Sequence, residues 1–135
     1  GSIEIISLSH GLMLPIDSAN GKITGTRQHS SVILEKEIDS SSPYLNRAAV
    51  TGQALQSAEI RFYKINDAGQ EVCYYIIYLE NVKVTSVNTS IPNTRLSSSQ
   101  LNHIEHVGLN YEKITWHYVD GNVKFTDAWN DRKTA

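Results

Sequence analysis

Ser57-Ala58-Glu59-Ile60-Arg61-Phe62-Tyr63-Lys64-Ile65-Asn66-Asp67-Ala68-Gly69-Gln70-Glu71-Val72-Cys73-Tyr74-Tyr75-Ile76-Ile77-Tyr78-Leu79-Glu80 is the stretch whose reading decides the fold. Ala58, Ile60 and Phe62 alternate with Glu59, Arg61 and Tyr63, the period of two that a strand imposes on its side chains. Asn66-Asp67-Ala68-Gly69 holds the residue types that turn a chain, which predicts a hairpin. The return strand carries Tyr74, Ile76 and Tyr78 on one face and Tyr75, Ile77 and Leu79 on the other. Neither face is obviously wet, so the strand is buried on both sides or lies at an interface.

Downstream, Asn81 marks a bulge before Val82, Val84 and Val87 continue the strand. Asn88 to Gln100 is a loop of Ser, Thr, Asn and Pro with no core to bury. A last sheet segment runs from His103 to Val119, with a kink near Glu112-Lys113 where the apolar parity changes, and Asp120-Gly121-Asn122 turns it back.

Upstream, Ser40-Ser41-Ser42-Pro43 offers a Ser cap with Pro in the first turn, and Gly52 supplies the stop of a short helix. Leu45, Ala48 and Ala49 form its inner face, while Asn46 and Gln53 lie toward solvent. Ser31 to Ile38 alternates as a half-solvated strand, Val32, Leu34 and Ile38 facing one way and Glu35 and Glu37 the other, with Lys36 breaking the apolar face. Ile3 to Ser9 reads as a strand that places Ser7 and Ser9 opposite Ile6 and Leu8. His10 to Gln28, with Gly11, Pro15, Gly21 and Gly25, is a long connection without periodicity.

With 135 residues, 40% hydrophobic and 19% charged, the chain has the size and composition of one globular domain, 1–135. The pattern is mainly β: a small β-barrel or two-sheet antiparallel sandwich with one short α-helix. A net charge of -2 with scattered Lys and Arg disfavours nucleic acid. No stretch approaches the ~20 apolar residues that span a bilayer, and no signal peptide is legible. Cys73, alone between Val72 and Tyr74, reads as a small buried hydrophobe.

Catalytic chemistry finds little footing. His103 and Glu105 could share a strand face, but His106 points opposite, which is poor geometry for one metal ion. No Gly-x-Ser-x-Gly elbow positions a nucleophile, and no Gly-rich loop between strand and helix could cradle phosphate. Glu35 and Glu37 share one face, where they could flank a sugar, yet charges alternating with apolar residues are ordinarily the wet side of a strand. No catalytic residue, cofactor or metal ligand is assigned, and the chain is read as a non-enzyme.

Several segments in order carry a more specific signal. They are Ile3-Glu4-Ile5-Ile6-Ser7-Leu8-Ser9-His10-Gly11, Thr26-Arg27-Gln28-His29, and Lys36-x-Ile38-Asp39-x-x-Ser42-Pro43-x-Leu45. Gly52, Phe62-Tyr63, Tyr75-x-Ile77-x-Leu79-Glu80-Asn81-Val82-x-Val84, Tyr111-Glu112-Lys113-Ile114-Thr115-Trp116 and Asp127-Ala128-Trp129 follow. Together they resemble the Hcp (hemolysin-coregulated protein) family over nearly the whole chain.

That resemblance implies a homo-hexameric ring, stacked with others into the expelled inner tube of the bacterial type VI secretion system. It implies as partners a contractile sheath, a VgrG-type spike protein, and effector proteins carried or chaperoned in the lumen. It also implies a cytoplasmic protein that is later secreted through the apparatus, and a virulence role. Under this reading Ser7 and Ser9 are the lumen-facing and cargo-facing candidates, Gly11, Pro15, Gly21 and Gly25 belong to a ring-stacking loop, and Tyr74, Ile76 and Tyr78 are subunit-interface candidates. Family members generally carry a strand before Ile3, so a first strand is expected to be missing here, and the short stretch after Trp129 leaves no room for a fused toxin. The rival readings are a monomeric β-barrel binding a small ligand or glycan, and a small hydrolase or metal-dependent effector built on His103 and His106.

Overall fold

The computed structural model describes residues 2–91 and 103–128. The fold is mainly β with one α-helix. The elements are β1 (Ser7–Ser9), β2 (Leu12–Met13), β3 (Gln28–His29), β4 (Val32–Glu37), α1 (Ser42–Thr51), β5 (Ala54–Ile65), β6 (Glu71–Ser90), β7 (Ile104–Asn110), β8 (Lys113–Tyr118) and β9 (Val123–Ala128). Contacts divide the described residues into two compact units, the first within 1–13, 29–54 and 83–110 and the second within 14–28, 55–82 and 111–135. The strand β6 contributes its C-terminal half to the first and its N-terminal half to the second.

In the first unit the strands run in the order β1-β4-β7-β6, all antiparallel. Val32, Leu34, Val84, Val107 and Leu109 are buried on the inward face, and Ala48 of α1 is buried as well. Each large side chain so removed from water contributes roughly 1.5–3 kcal/mol. The helix forms where expected: Pro43 sits in its first turn, and Gly52 closes it in the left-handed region, φ 68°, its N–H donating to the Ala48 carbonyl.

In the second unit β8 pairs with residues 75–80 of β6 and with β9, and β5 pairs with β6. Ile60, Ile77, Leu79, Val82, Tyr111 and Ile114 form its core. The turn at Asn66–Gly69 is as expected, the Asn66 side chain accepting from the backbone N–H groups of Ala68 and Gln70.

Several expectations are corrected. The first strand spans Ser7–Ser9 and not Ile3–Ser9, and Ile3 and Ile6 stay 43% and 54% exposed. Extending the Ser7↔Glu35 register would bring Glu4 opposite Ile38, where the chain leaves the sheet for the helix. The His10–Gln28 connection is not featureless, because β2 and β3 pair within it and Ile16 bridges Ile23. His103–Val119 is two strands, β7 and β8, broken at Tyr111-Glu112. The break faces Asn81, which lies in the left-handed region (φ 55°) and donates its amide to the Glu112 carboxylate. Asn88–Ser90 belong to β6 and Ile91 follows it exposed, while residues 92–100 of that loop lie outside the described residues, as does Trp129. Cys73 is half-buried rather than buried, its thiol 3.8 Å from the Tyr75 carbonyl.

Candidate functional site

Ser7 and Ser9 are exposed on β1, and the pairing register carries their rows across the first unit. Ser9 stands beside Ile33, Gly108 and Ser86, and Ser7 beside Glu35, His106 and Asn88. The alternate residues of β4, β6 and β7 point into the core, so these rows form the opposite, outward face. Ser7 donates to Glu35 Oε2 at 2.9 Å, and His106 Nε2 lies 3.8 Å from the same oxygen. This face offers small hydroxyls, an amide, an imidazole and a carboxylate to whatever it meets. The serine touches the carboxylate and not the imidazole, so the order needed to activate a nucleophile is missing.

Gly108 lies at the centre of that face, and a Cβ there would overlap Ser86 Oγ and stand 3.2 Å from Thr85 Oγ1. The β6–β7 register shifts between Val84 and Ser86, and the displaced Thr85 hydroxyl bonds the Gly108 carbonyl at 3.2 Å. Sequence reading singled out neither residue.

Beneath the face, Lys36 and Glu105 are each 1% exposed and form an ion pair. Lys36 therefore does not break the inward face but fills it, and Ile38, assigned to that face, is exposed instead. Ser42 Oγ donates to Glu105 Oε1 at 2.7 Å and accepts from the Asp39 N–H at 3.1 Å. Lys36 also donates to the Glu37 carbonyl and to Asp39 Oδ1. Burial alone would lower the Lys36 ammonium, but the hydrogen bonds and charges of Glu105 and Asp39 outweigh it and hold it above its usual value. Glu105 is thus committed to Lys36 and Ser42. His103, exposed, receives the Ile38 N–H on its carbonyl at 3.2 Å. Among the described residues no three His, Cys, Asp or Glu side chains gather at metal-binding distance.

The long connection carries its own hydrogen bonds. Ser30 exchanges three bonds of 2.8–2.9 Å with the backbone of Gly11. Thr24 N–H donates to the Pro15 carbonyl, Asp17 N–H to Lys22, and Gly21, at φ 73°, donates back to Asp17. Gly25 packs its backbone near the Pro15 ring. At the end of this hairpin Arg27 makes two parallel 2.8 Å bonds to Asp127 and another to the Ala128 carbonyl.

In the second unit Ile77 and Leu79 are buried while Tyr74 and Ile76 are half-buried and Tyr78 is 36% exposed. Lys64 lies 5.3 Å from the Tyr74 ring centroid. One face of this strand is therefore core and the other only partly covered. A feature the sequence reading missed lies at the end of the strand order: Val123 and Phe125 of β9 are 63% and 67% exposed, and the Phe125 ring stacks on Trp116 at 6.0 Å.

The family model described as "Type VI secretion system effector, Hcp" matches residues 1–118. The curated "Major exported protein" of Pseudomonas aeruginosa is 29% identical over 128 residues, covering 94% of this chain and 74% of that protein. Among solved structures, the Hcp1 protein of the E. coli EAEC 042 pathovar is 53% identical with a TM-score of 0.84, covering 96% of this chain and 82% of that one. The secreted protein Hcp3 of Pseudomonas aeruginosa is 26% identical with a TM-score of 0.76, covering 95% and 76%.

Proposed function

Because the chain belongs to the Hcp family of type VI secretion proteins, we propose that it is a tube subunit: a single domain, 1–135, that closes into hexameric rings. The family is one of structural, secreted proteins and not of enzymes. The observation that carries the reading is β9, the last strand in the order, which leaves Val123 and Phe125 more than half exposed beside Trp116. Among the described residues no strand pairs with the outer edge of β9, and an edge strand that exposes a valine and a phenylalanine invites a neighbour, which a cyclic assembly supplies without open ends. The partly covered Tyr74, Ile76 and Tyr78 are the candidate surface for the other side of that contact.

The outward rows through Ser7 and Ser9 are the candidate lumen wall, on which effector proteins would ride. The hairpin from Gly11 through Pro15, Gly21 and Gly25 is the candidate contact between stacked rings. In this role the protein waits in the bacterial cytoplasm, stacks into a tube inside the sheath, is capped by the spike, and leaves the cell with its cargo.

Light scattering and electron microscopy of the purified protein test the reading, with rings expected. Ser9→Gln is expected to keep the rings and abolish cargo co-purification. A stable monomer would overturn the assignment and return the ligand-binding barrel to favour, and lost rings in Ser9→Gln would place that strand at an interface instead.

A further inference from the structure

Apolar patterning fixes which face of a strand is buried, but it repeats every two residues. Between β4 and β7 it leaves an ambiguity. A slip of one residue turns Val32 and Leu34 to solvent and is strongly disfavoured. A slip of two keeps them inward: Val32 then stands opposite Val107 in one direction, and Leu34 opposite Leu109 in the other. Hydrophobic burial alone separates these registers poorly from the native one.

The buried charges do separate them. In the observed register Lys36 stands directly opposite Glu105. A two-residue slip would set Lys36 opposite Val107 and Glu105 opposite Ile38, or Lys36 opposite His103 and Glu105 opposite Leu34. Either way Glu105, now 1% exposed, would face an apolar side chain. An unpaired buried charge costs several kcal/mol, whereas a buried pair is often no more stabilising than an apolar pair of similar size. The pair therefore acts against wrong registers more than it strengthens the right one. Ser42 extends the selection to α1, since its hydroxyl reaches Glu105 only when the first helical turn sits over that point of the sheet.

We infer that the Lys36–Glu105 pair, read by Ser42, is a register key for β4 and β7 that also positions the outward rows. With it in place Glu35 lies beside Ser7 and His106; in the slipped sheets Glu35 would lie beside Gly108 or Ile104. The inference stands whether or not that face meets cargo.

Disulfide trapping in the full chain tests it. In a Cys73→Ser background, Glu35→Cys is combined with His106→Cys, reporting the native register, or with Ile104→Cys, reporting one slip, and Glu37→Cys is combined with His106→Cys, reporting the other. With Lys36 and Glu105 intact only the native pair should cross-link. In the Lys36→Met/Glu105→Leu double variant the thermal midpoint should hold or rise, and at least one of the two slip-reporting pairs should cross-link at a tenth or more of the native yield. Native-only cross-linking in that variant would show that register is set elsewhere. A double variant that fails to fold would equally overturn the inference, because the pair would then be a source of stability and not of selection.

Discussion

Arg27 and Asp127 lie 100 residues apart in sequence and meet through two parallel N–H···O bonds of 2.8 Å, partly shielded from water. The planar guanidinium matches the carboxylate edge, and its second nitrogen also serves the Ala128 carbonyl. The clamp ties the return of the long hairpin to β9 within the second unit.

Arg27→Lys should therefore cost about 1–2 kcal/mol despite keeping the charge, since an ammonium cannot hold both carboxylate oxygens and the carbonyl together. Urea denaturation measures the loss, and hydrogen exchange should rise in residues 14–26 more than in the core strands. Equal stability for Lys and Arg would reduce the clamp to a simple charge contact.

Gly108 leads to a second expectation. Its missing Cβ makes room for Ser86 Oγ and the bulged Thr85. Gly108→Ala should destabilise by roughly 1–3 kcal/mol through overpacking. Ser86→Gly in the same chain should recover a large part of that, so a double-mutant cycle should yield coupling of at least ~0.5 kcal/mol. Additive effects would mean that the backbone, not Ser86, meets the new methyl.

Local grammar was legible and long-range chemistry was not. The helix was marked by Pro43 and Gly52 and the hairpin by Asn66 to Gly69, because caps and turns are written in neighbouring residues. Lys36 looked like a flaw in an apolar face because Glu105, 69 positions away, gave no sign of being its partner. The two halves of the Arg27–Asp127 clamp each sit in a recognisable stretch of sequence, yet nothing local joins them. The outward rows of Ser7 and Ser9 needed the β1–β4–β7–β6 order before Glu35, His106 and Asn88 could be set beside them. β1 starts later than its alternation suggests, because alternation continues in the chain where its strand partner has already turned away.

The buried pair predicts a strong asymmetry between single and double replacements. Glu105→Gln removes the buried negative charge, leaves Lys36 to Asp39, the Glu37 carbonyl and the Ser42 hydroxyl, and should cost about 3–5 kcal/mol. Ser42→Ala, which removes one hydroxyl but keeps both charges paired, should cost nearer 1–2 kcal/mol. Chemical denaturation of the two single variants gives the comparison, and a Glu105→Gln loss no larger than that of Ser42→Ala would mean water reaches the site.

Tyr111 predicts the alkaline limb of stability. It is 2% exposed, and burial, with the Asp127 charge adding to it, pushes its phenol up to about 12. An unfolded chain releases that proton near pH 10, while the folded chain keeps it until about pH 12. The folded state thus binds more protons in this window, so stability is intact below about pH 10 and falls as pH rises toward 12. Lys36, also held above its usual value, loses its contribution in the same direction at the alkaline end. Tyr111→Phe removes the first effect and leaves the second. Urea midpoints measured from pH 9 to 11.5 should therefore fall less steeply for Tyr111→Phe than for the parent chain. Parallel pH profiles would mean that the phenolate forms in the folded state as readily as in water.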